Sequence, residues 1–341
     1  MSLDGPPCVW CSGRGPRQVA VELQDGLSLS RCGSCGAVAL WPPPDDDELA
    51  RAYAATYYGE SNRRFIAPME AVVRWFRAAR ARDLDRRARR RAPGGERDRP
   101  SRALDVGCGR GFLLADLRAL GWVSRGVERS GVAAQHARDQ LGLTVDVGEF
   151  AELPLPEEGF DCVIFWHVLE HLRDPAAALR RSAGLLTPGG LLVVAVPNLA
   201  SWQASWGSAS WFHLDPPRHL HHCEAHRLRH WLEANGFAVL RVDHLNWEQN
   251  PYGWLQTLLN RIGRAFGWPA NLFYDLLKRA GARSSPQGSQ SALRRFVVWM
   301  AAAAALPLAI SLSLAEAVAR RGGTIEIYAV RSPESKAPSS G

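Results

Sequence analysis

A short glycine-rich stretch carries the clearest chemical signal in the sequence. Three glycines alternate with other residues directly after an apolar run: Gly107, Gly109 and Gly111. Glycines there let the backbone turn sharply and approach a ligand closely. Asp105 precedes the loop, and Glu128 ends the next apolar run, where a carboxylate can accept hydrogen bonds from both hydroxyls of a ribose. A dinucleotide-binding fingerprint would need glycine where Phe112 stands, so the loop has a different spacing.

Two pairs of cysteines near the N-terminus have the spacing of metal ligands. Two residues separate the members of each pair, and 20 residues separate the pairs: Cys8 and Cys11, then Cys32 and Cys35. Four thiolates in this arrangement predict a tetrahedral zinc ribbon at residues 1–45, and iron of the rubredoxin type shares the spacing. The first residues lack the pattern of a secretory signal, which predicts a reducing, cytoplasmic setting that favours metal over disulfides.

Six of the ten histidines lie between residues 213 and 230. His222, His226 and His230 are four residues apart, which predicts one face of a helix. We interpret most of this cluster as a polar helix surface, because no spacing within it matches a recognised metal-ligand pattern. A metal site there is the alternative.

The elements that position these residues follow an alternating pattern from residue 102 to residue 242. Short apolar runs predict strands at 103–106, 124–128, 143–147, 160–166, 191–196 and 237–242. Helices are predicted near 111–120, 131–141, 174–186 and 224–235. A further strand is predicted at 324–330. Alternation of this kind favours an α/β fold with a mostly parallel sheet that is covered on both faces.

The charge of the chain is concentrated in one segment. The net charge is +7, yet residues 74–102 hold twelve arginines and four acidic residues, a local sum of 12 − 4 = +8 that leaves the rest near −1. A general nucleic-acid-binding surface is therefore not indicated, and no nucleic-acid partner is expected.

Five ordered motifs together resemble the class I S-adenosylmethionine-dependent methyltransferases. Residues 104–111 resemble their first motif, and 148–154 resemble the loop that flanks the adenine. The run at 159–175 is similar to the branch that includes ubiquinone O-methyltransferases and many glycan-modifying enzymes. Residues 187–198 and 215–237 match the same branch.

This resemblance implies a Rossmann-like, seven-stranded fold with six parallel strands and an antiparallel seventh. It implies S-adenosylmethionine as the cofactor, with a set of binding residues: Asp105, Gly107, Gly109, Gly111, Glu128, Glu149 and Phe150. His167 would follow the fourth strand and face the methyl group, and His219 would lie on the acceptor side. We expect either to act as the base that removes a proton from the acceptor. Glu170 is expected to be structural or close to the cofactor.

The cysteine module resembles the zinc ribbons fused to some sugar and polysaccharide methyltransferases. Those enzymes also carry tyrosines after the ribbon, as Tyr53, Tyr57 and Tyr58 do here. Seven of the thirteen tryptophans lie between residues 202 and 268, and indoles stack on sugar faces or sit at lipid interfaces. Burial in a core is the alternative for these tryptophans.

An uncharged run at residues 296–315 is long enough to span a membrane. Pro307 interrupts the run, and the strand at 324–330 must return to the sheet. We therefore expect a pair of helices that re-enters or lies on a membrane surface, with a buried packing helix as the alternative.

The predicted organisation has six parts. They are a zinc ribbon at 1–45, an arginine-rich helical connector at 46–100, a cofactor-binding core at 101–245, an inserted helical segment at 246–322, the last strand at 323–331 and a disordered tail at 332–341. The expected function is O-methylation of a carbohydrate or lipid-linked glycan, at the inner membrane face. The alternatives are a quinone-like lipid acceptor and a non-enzymatic zinc-ribbon protein that binds nucleic acid.

Overall fold

The structure is a computed structural model that describes residues 2–3, 6–23, 25–53, 65–90, 99–278 and 292–332. The predicted tyrosine pair at 57–58, most of the linker at 91–100 and the predicted tail beyond residue 332 lie outside these residues. The chain forms two compact units. The first comprises Met1–Glu70, Pro197–Arg227 and Asp243–Ile325, and the second comprises Ala71–Val196, Leu228–Val242 and Glu326–Gly341.

The second unit is built on a seven-stranded sheet. Its strands, in chain order, are β5 (Arg102–Val106), β6 (Val123–Glu128), β7 (Thr144–Val147), β8 (Phe160–Trp166), β9 (Leu186–Pro197), β11 (Phe237–Asp243) and β12 (Thr324–Arg331). The spatial order is β11-β12-β9-β8-β5-β6-β7, and β7, β6, β5, β8 and β9 run parallel to their neighbours. All seven predicted strands are confirmed. The central strands β8 and β9 are almost continuously apolar because both faces of the sheet are covered.

Helices connect these strands at the predicted places. They are α2 (Ala67–Arg89), α3 (Phe112–Ala119), α4 (Gly131–Leu141), α5 (Pro175–Leu185) and α7 (Ala225–Ala234). Ser130 and Asp174 accept hydrogen bonds from the first turns of α4 and α5. Gly142 ends α4 in the left-handed conformation. The alternation of strands and helices confirms the predicted Rossmann-like class.

The first unit contains a separate five-stranded sheet in the order β1-β2-β3-β4-β10. Its strands are β1 (Ser2–Leu3), β2 (Arg17–Glu22), β3 (Ser28–Cys32), β4 (Val38–Trp41) and β10 (His221–His222). The edge strand β10 comes from far along the chain, and His221 pairs with Ala39. Leu29 and Leu40 pack in one cluster with Trp211 and Leu214. The contacts therefore group the ribbon with later segments, unlike the predicted boundaries at residues 45 and 246.

Four helices complete the described part of the first unit, namely α1 (Asp46–Ala52), α6 (Trp202–Gly207), α8 (Asn250–Ala265) and α9 (Leu272–Leu277), together with the long α10 (Ala292–Val318). The prediction of two helices broken at Pro307 is wrong, because α10 continues through that residue. Proline removes the hydrogen bond to the carbonyl four residues earlier. Ala303 and Pro307 both lie on the exposed side of α10, so that carbonyl is not enclosed by packing.

A buried carboxylate anchors α10 within this unit. Glu316 accepts hydrogen bonds from the backbone N–H of Gln203, at 2.8 Å, and from the indole N–H of Trp254, at 2.7 Å. The Gln203 side chain in turn accepts a hydrogen bond from Trp211 Nε1 at 2.9 Å. Burial raises the pKa of Glu316 to about 7, although the hydrogen bonds favour its charged form. The helix is therefore tied to α6 and α8 by a polar contact in an apolar setting.

We expect the stability of the first unit to fall as pH rises because of Glu316. Its folded pKa of about 7 exceeds the ordinary 4.5, so the stabilisation is complete below pH 4.5 and is lost as pH rises to 7. Relative to Glu316→Gln, the wild type should lose up to about 3 kcal/mol of unfolding free energy across that range, measured with urea. The exposed control Glu22→Gln should show no such trend. A difference that does not change with pH would contradict the assignment.

Candidate active site and metal centre

The glycine loop between β5 and α3 has the backbone geometry that its sequence predicts. The φ angles of Gly107, Gly109 and Gly111 are 72°, 56° and 77°, a region that favours glycine. The N–H of Gly107 donates to Val127 O at 2.7 Å, which ties the loop to β6. A Cβ at Gly107 would lie 2.4 Å from Val168 Cγ2, whereas one at Gly109 would meet no atom within 4 Å. The space beside Gly109 is therefore open to a ligand.

Glu128 lies at the end of β6 with its carboxylate held against this loop. Its Oε2 accepts from Gly109 N–H at 2.8 Å and its Oε1 from Ser130 N–H at 2.7 Å. Each carboxylate oxygen has more than one acceptor position, so both keep capacity for a ligand hydroxyl. Glu128 is only 5% exposed. This arrangement suits a carboxylate that binds a ribose.

Asp105, at the end of β5, is buried below the loop. Burial raises its pKa to about 7, Arg80 and Arg77 oppose that rise, and Glu128 adds to it. Both arginines lie on α2. The arginine-rich helix thus contributes cations to the environment of the loop, which the sequence pattern alone does not reveal.

The loop predicted to flank the adenine contains one exposed and one buried residue. Glu149 is half-exposed and pairs with Arg129 at 3.0 Å. Phe150 is only 3% exposed, and its ring packs edge-on against Phe165 with centroids 5.6 Å apart. The structure thus places Phe150 in the core of the unit. The pattern of apolar residues in the sequence does not predict this burial. Contact of this loop with adenine stays a prediction.

His167 follows β8 directly and is oriented by a buried acid. Its φ of 54° is unusual for a residue with a side chain and turns the chain sharply after the strand. Its Nδ1 lies 3.2 Å from Oε1 of Glu170, which is 1% exposed. An Nδ1–H that donates to the carboxylate leaves Nε2 with the lone pair of the neutral ring. Glu170 is thereby a positioning residue, a role that the sequence analysis left open.

His219, the second predicted base, belongs to the other unit. Its Nδ1 lies 2.8 Å from the carbonyl oxygen of His213, and a carbonyl only accepts, so Nδ1 carries the proton and Nε2 the lone pair. Nε2 lies 3.8 Å from Asp215 Oδ2. The two predicted bases are thus prepared in the same tautomer, each within its own unit.

The predicted polar helix face of histidines is wrong for most of the cluster. Four of the six are buried: His213, His219, His221 and His222. The reason is that His221 and His222 form the strand β10, which pairs with β4, and so precede the helix α7. His226 does lie on α7, with a side chain that is 66% exposed.

The four N-terminal cysteines converge as predicted. Their sulfur atoms all lie within 4.8 Å of one another. Cys8 Sγ and Cys35 Sγ are 3.7 Å apart, and Cys11 Sγ and Cys32 Sγ are 3.9 Å apart. A tetrahedron with metal–sulfur bonds of about 2.3 Å has edges of about 3.8 Å, so the spacing fits one tetrahedral ion and not disulfides.

The second cysteine pair is supported by an ion-paired cluster in the same unit. Arg31 donates to Gly36 O at 2.9 Å and to Glu224 Oε1 at 2.7 Å. Arg227 donates to Cys35 O at 2.9 Å and pairs with Glu224. Burial opposes the charge on Glu224, yet hydrogen bonds from the two arginines lower its pKa. The backbone around Cys35 is thereby fixed from two sides.

We expect Glu128→Ala to reduce the affinity for S-adenosylmethionine at least about 100-fold, since two hydrogen bonds from hydroxyls to a buried carboxylate are lost. Isothermal titration calorimetry would measure this change. Glu157→Ala, in the exposed turn before β8, is the matched control and should bind normally. Unchanged binding by Glu128→Ala would contradict the assignment of the ribose site.

The chain resembles known methyltransferases over its second unit. Residues 76–242 match the family model described as a methyltransferase domain. A ubiquinone biosynthesis O-methyltransferase of Caulobacter sp. is 40% identical over 104 residues, which are 28% of this chain and 41% of that protein. A probable S-adenosylmethionine-dependent methyltransferase of Mycolicibacterium smegmatis is 32% identical over 143 residues, which are 40% of this chain and 51% of that protein. The chain therefore spans about half or less of the length of these relatives.

One solved structure also resembles this chain at low sequence identity. It is a SAM-dependent methyltransferase from Archaeoglobus fulgidus, with 17% identity and a TM-score of 0.45 over 75% of this chain and 94% of that one. The family assignment rests on the match over residues 76–242, and the glycine loop and Glu128 lie within that range. Residues 76–242 of this chain form a class I S-adenosylmethionine-dependent methyltransferase domain.

Proposed function

We propose that this protein transfers a methyl group from S-adenosylmethionine to a hydroxyl of a carbohydrate or a lipid-linked glycan. The observation that carries the methyltransferase part is the open space at Gly109, directly beside the fixed carboxylate of Glu128. Asp105, in β5, is buried, and the space beside Gly109 stays open for the cofactor. The three glycines and Glu128 therefore fit a bound nucleoside.

The residues of the site would bind the cofactor, orient the acceptor and remove its proton. The sulfonium of S-adenosylmethionine supplies an electrophilic methyl group when it is bound, so the protein mainly has to align the acceptor and exclude water. Glu128 would hold the ribose. His167 Nε2 would take the proton of the acceptor hydroxyl, and Glu170 would keep the ring in that tautomer. His219 Nε2 is the alternative base.

The exposed tryptophans support a carbohydrate acceptor. Trp211 and Trp254 are buried in the core, as the alternative interpretation held, but Trp202, Trp206 and Trp247 are each more than 40% exposed. Exposed indoles are suited to stacking on sugar faces. A quinone-like lipid is the second candidate acceptor, because the Caulobacter relative is named for ubiquinone biosynthesis.

Label from methyl-labelled S-adenosylmethionine, followed into fractions of a host extract, would test the function. We expect label in sugar-containing material, either water-soluble or extractable with lipid. Label in a lipid that carries no sugar would replace the carbohydrate proposal with the quinone-like one. No label in any fraction, with cofactor binding intact, would overturn the proposed activity.

We further propose that the four cysteines bind zinc and that the ion has a structural role. Support comes from the complete set of four sulfur ligands, which leaves a tetrahedral ion no open position for a substrate. Metal analysis of purified protein would distinguish zinc from the iron alternative.

We also propose that α10 rests on an anionic membrane surface on the cytoplasmic side. Within the described residues, α10 is the one helix long and apolar enough to cross a membrane, and 22% of its most apolar window is buried. The buried residues form one stripe, and the opposite face is apolar: Leu293, Phe296, Met300, Pro307, Leu314 and Val318. Exposed arginines lie at both ends, at Arg295, Arg320 and Arg321, which complements anionic headgroups.

Vesicle flotation should test this contact. We expect the wild type to float with phosphatidylglycerol vesicles and the double variant Phe296→Glu/Met300→Glu to stay behind, because both side chains lie on the exposed apolar face. Leu240→Glu, at a position that is 45% exposed on β11, is the matched control and should float normally. If the wild type does not float with the vesicles but dimerises through these two residues, a second copy of the chain covers this face instead.

A further inference from the structure

An open groove of about 900 Å³ lies wholly within the first unit. The ribbon contributes Leu23 and Leu27, and α1 with the residues before it contributes the segment 42–52. The other wall comes from residues 209–217 and 260–271. A volume of this size is typical of small-molecule sites and exceeds that of a single sugar ring. None of the residues assigned so far to cofactor, metal or proton transfer lines the groove.

One tryptophan at the edge of the groove is held in place by its neighbours. Trp268 is partly exposed, and its backbone N–H donates to the backbone carbonyl of Gly263 at 2.9 Å. A Cβ added at Gly263 would lie 3.2 Å from Trp268 Cβ, so the glycine permits this close approach. Phe266 packs against the indole with ring centroids 5.7 Å apart. A partly exposed and immobilised indole suits stacking on the apolar face of a sugar.

Two asparagines in the groove fix one another and leave one donor unused. Asn260 Nδ2 donates to Asn271 Oδ1 at 2.9 Å, and the N–H of Asn271 donates to Asn260 Oδ1 at 2.8 Å. Gln256 also donates to Asn260 Oδ1. No hydrogen bond in the described part of the chain uses Asn271 Nδ2. A pre-oriented amide donor of this kind suits a ligand hydroxyl.

The charges that line the groove are not equally available. Asp215 is paired with Arg218, and Glu48 accepts a hydrogen bond from Asp45 N–H at 2.9 Å. In contrast, Arg51 and Arg264 are exposed and form no ion pair within the residues that the structure describes. Guanidinium groups bind phosphate through paired N–H donors. Asp25 also lines the groove and is exposed. The groove therefore offers a phosphate two guanidinium groups, not a general excess of positive charge.

We propose that this groove is a binding site for a sugar phosphate, with Trp268 under the sugar ring, Asn271 at a hydroxyl and the guanidinium groups of Arg51 and Arg264 at the phosphate. The choice of a carbohydrate rests on the proposed function, while the phosphate rests on the two arginines. Two sources supply this chemistry, a nucleotide sugar and a sugar linked to a lipid through diphosphate. The groove thereby gives the first unit a ligand-binding role beyond metal coordination.

Binding measured without cofactor separates this inference from the proposed activity. Isothermal titration of the full, metal-loaded chain would use five probes: glucose 1-phosphate, glucose, inorganic phosphate, UDP-glucose and a short-chain prenyl diphosphate glucose. We expect glucose 1-phosphate to bind at least about tenfold more tightly than glucose or phosphate alone, because it uses both the indole and the arginines. UDP-glucose and a short-chain prenyl diphosphate glucose would distinguish the two sources.

Matched variants locate the site. We expect Arg264→Ala and Trp268→Ala each to weaken glucose 1-phosphate at least about tenfold. Arg14→Ala and Trp75→Ala change exposed residues outside the groove and should bind normally. Equal binding by all four variants, or no binding of any phosphorylated probe, would overturn the proposal. Tight binding with no methyl transfer to any acceptor would leave the groove in place and contradict the proposed activity instead.

Discussion

Removal of the metal ion from the four cysteines is expected to unfold the five-stranded sheet of the first unit. β3 contains Cys32, and the loop before β2 contains Cys8 and Cys11, so the ion would join this loop to the end of β3. A module of this size buries too little apolar surface to fold without a staple. Structural zinc contributes on the order of 10 kcal/mol or more in small domains, so its loss should exceed the stability of the sheet.

Metal content, circular dichroism and limited proteolysis would follow this unfolding. A strong chelator, or Cys32→Ser together with Cys35→Ser, should remove one equivalent of metal and expose the arginines of β2 and β3 to trypsin. Cys223→Ser is the control, since this cysteine is buried in the same unit but lies outside the cluster. The control should retain its metal. A chelated protein with an unchanged spectrum and unchanged proteolysis would show that the ion has no structural role.

The sequence predicts the second unit well because each of its elements carries a local signal. The apolar runs of β5 and β8 are long enough to predict strands, and Ser130, Asp174 and Gly142 are ordinary cap residues at the ends of their helices. The glycine loop and Glu128 also lie close together along the chain. Local patterns therefore place the glycine loop and Glu128 at the carboxyl ends of β5 and β6.

The first unit is less predictable because its contacts join distant parts of the chain. No local pattern shows that His221 and His222 form an edge strand beside β4, or that Trp211 packs on Leu29 of the ribbon. The burial of Glu316 is unpredictable for the same reason. A single carboxylate in an apolar helix is expected to be exposed, and its partners at Gln203 and Trp254 lie far away in the sequence. Pro307 suggests a break, and only the exposure of α10 on that side explains why the helix continues.

The polar anchor of α10 limits how the helix can meet a membrane. Glu316 and Ser313 are fully buried within the first unit, and the buried stripe extends back to Val298. Insertion of the whole helix across a bilayer would break the hydrogen bonds of Glu316 to Gln203 and Trp254. The cost would be several kcal/mol, on the order of that for burying an unpaired polar group. A helix that keeps this stripe packed and presents its opposite face to lipid avoids that cost. Surface contact is thus the arrangement that the anchor favours.

Replacement of the base that accepts the proton should have the largest effect on catalysis. We expect His167→Ala to lower kcat by about 10²- to 10⁴-fold with little change in the affinity for S-adenosylmethionine, because the ring would act on the acceptor hydroxyl. Added imidazole should restore part of the activity, which a purely structural histidine would not allow. Glu170→Gln should lower kcat less, since the amide keeps the ring in place without its charge.

His219→Ala and the exposed control His226→Ala distinguish the two predicted bases. If His167 is the base, His219→Ala should affect the KM of the acceptor more than kcat, and His226→Ala should change neither. A loss of kcat that imidazole rescues in His219→Ala but not in His167→Ala would transfer the role to His219. That result would mean that His219, whose Nδ1 is fixed by the carbonyl of His213, holds the reacting lone pair. His167, which is fixed by Glu170, would then not be the base.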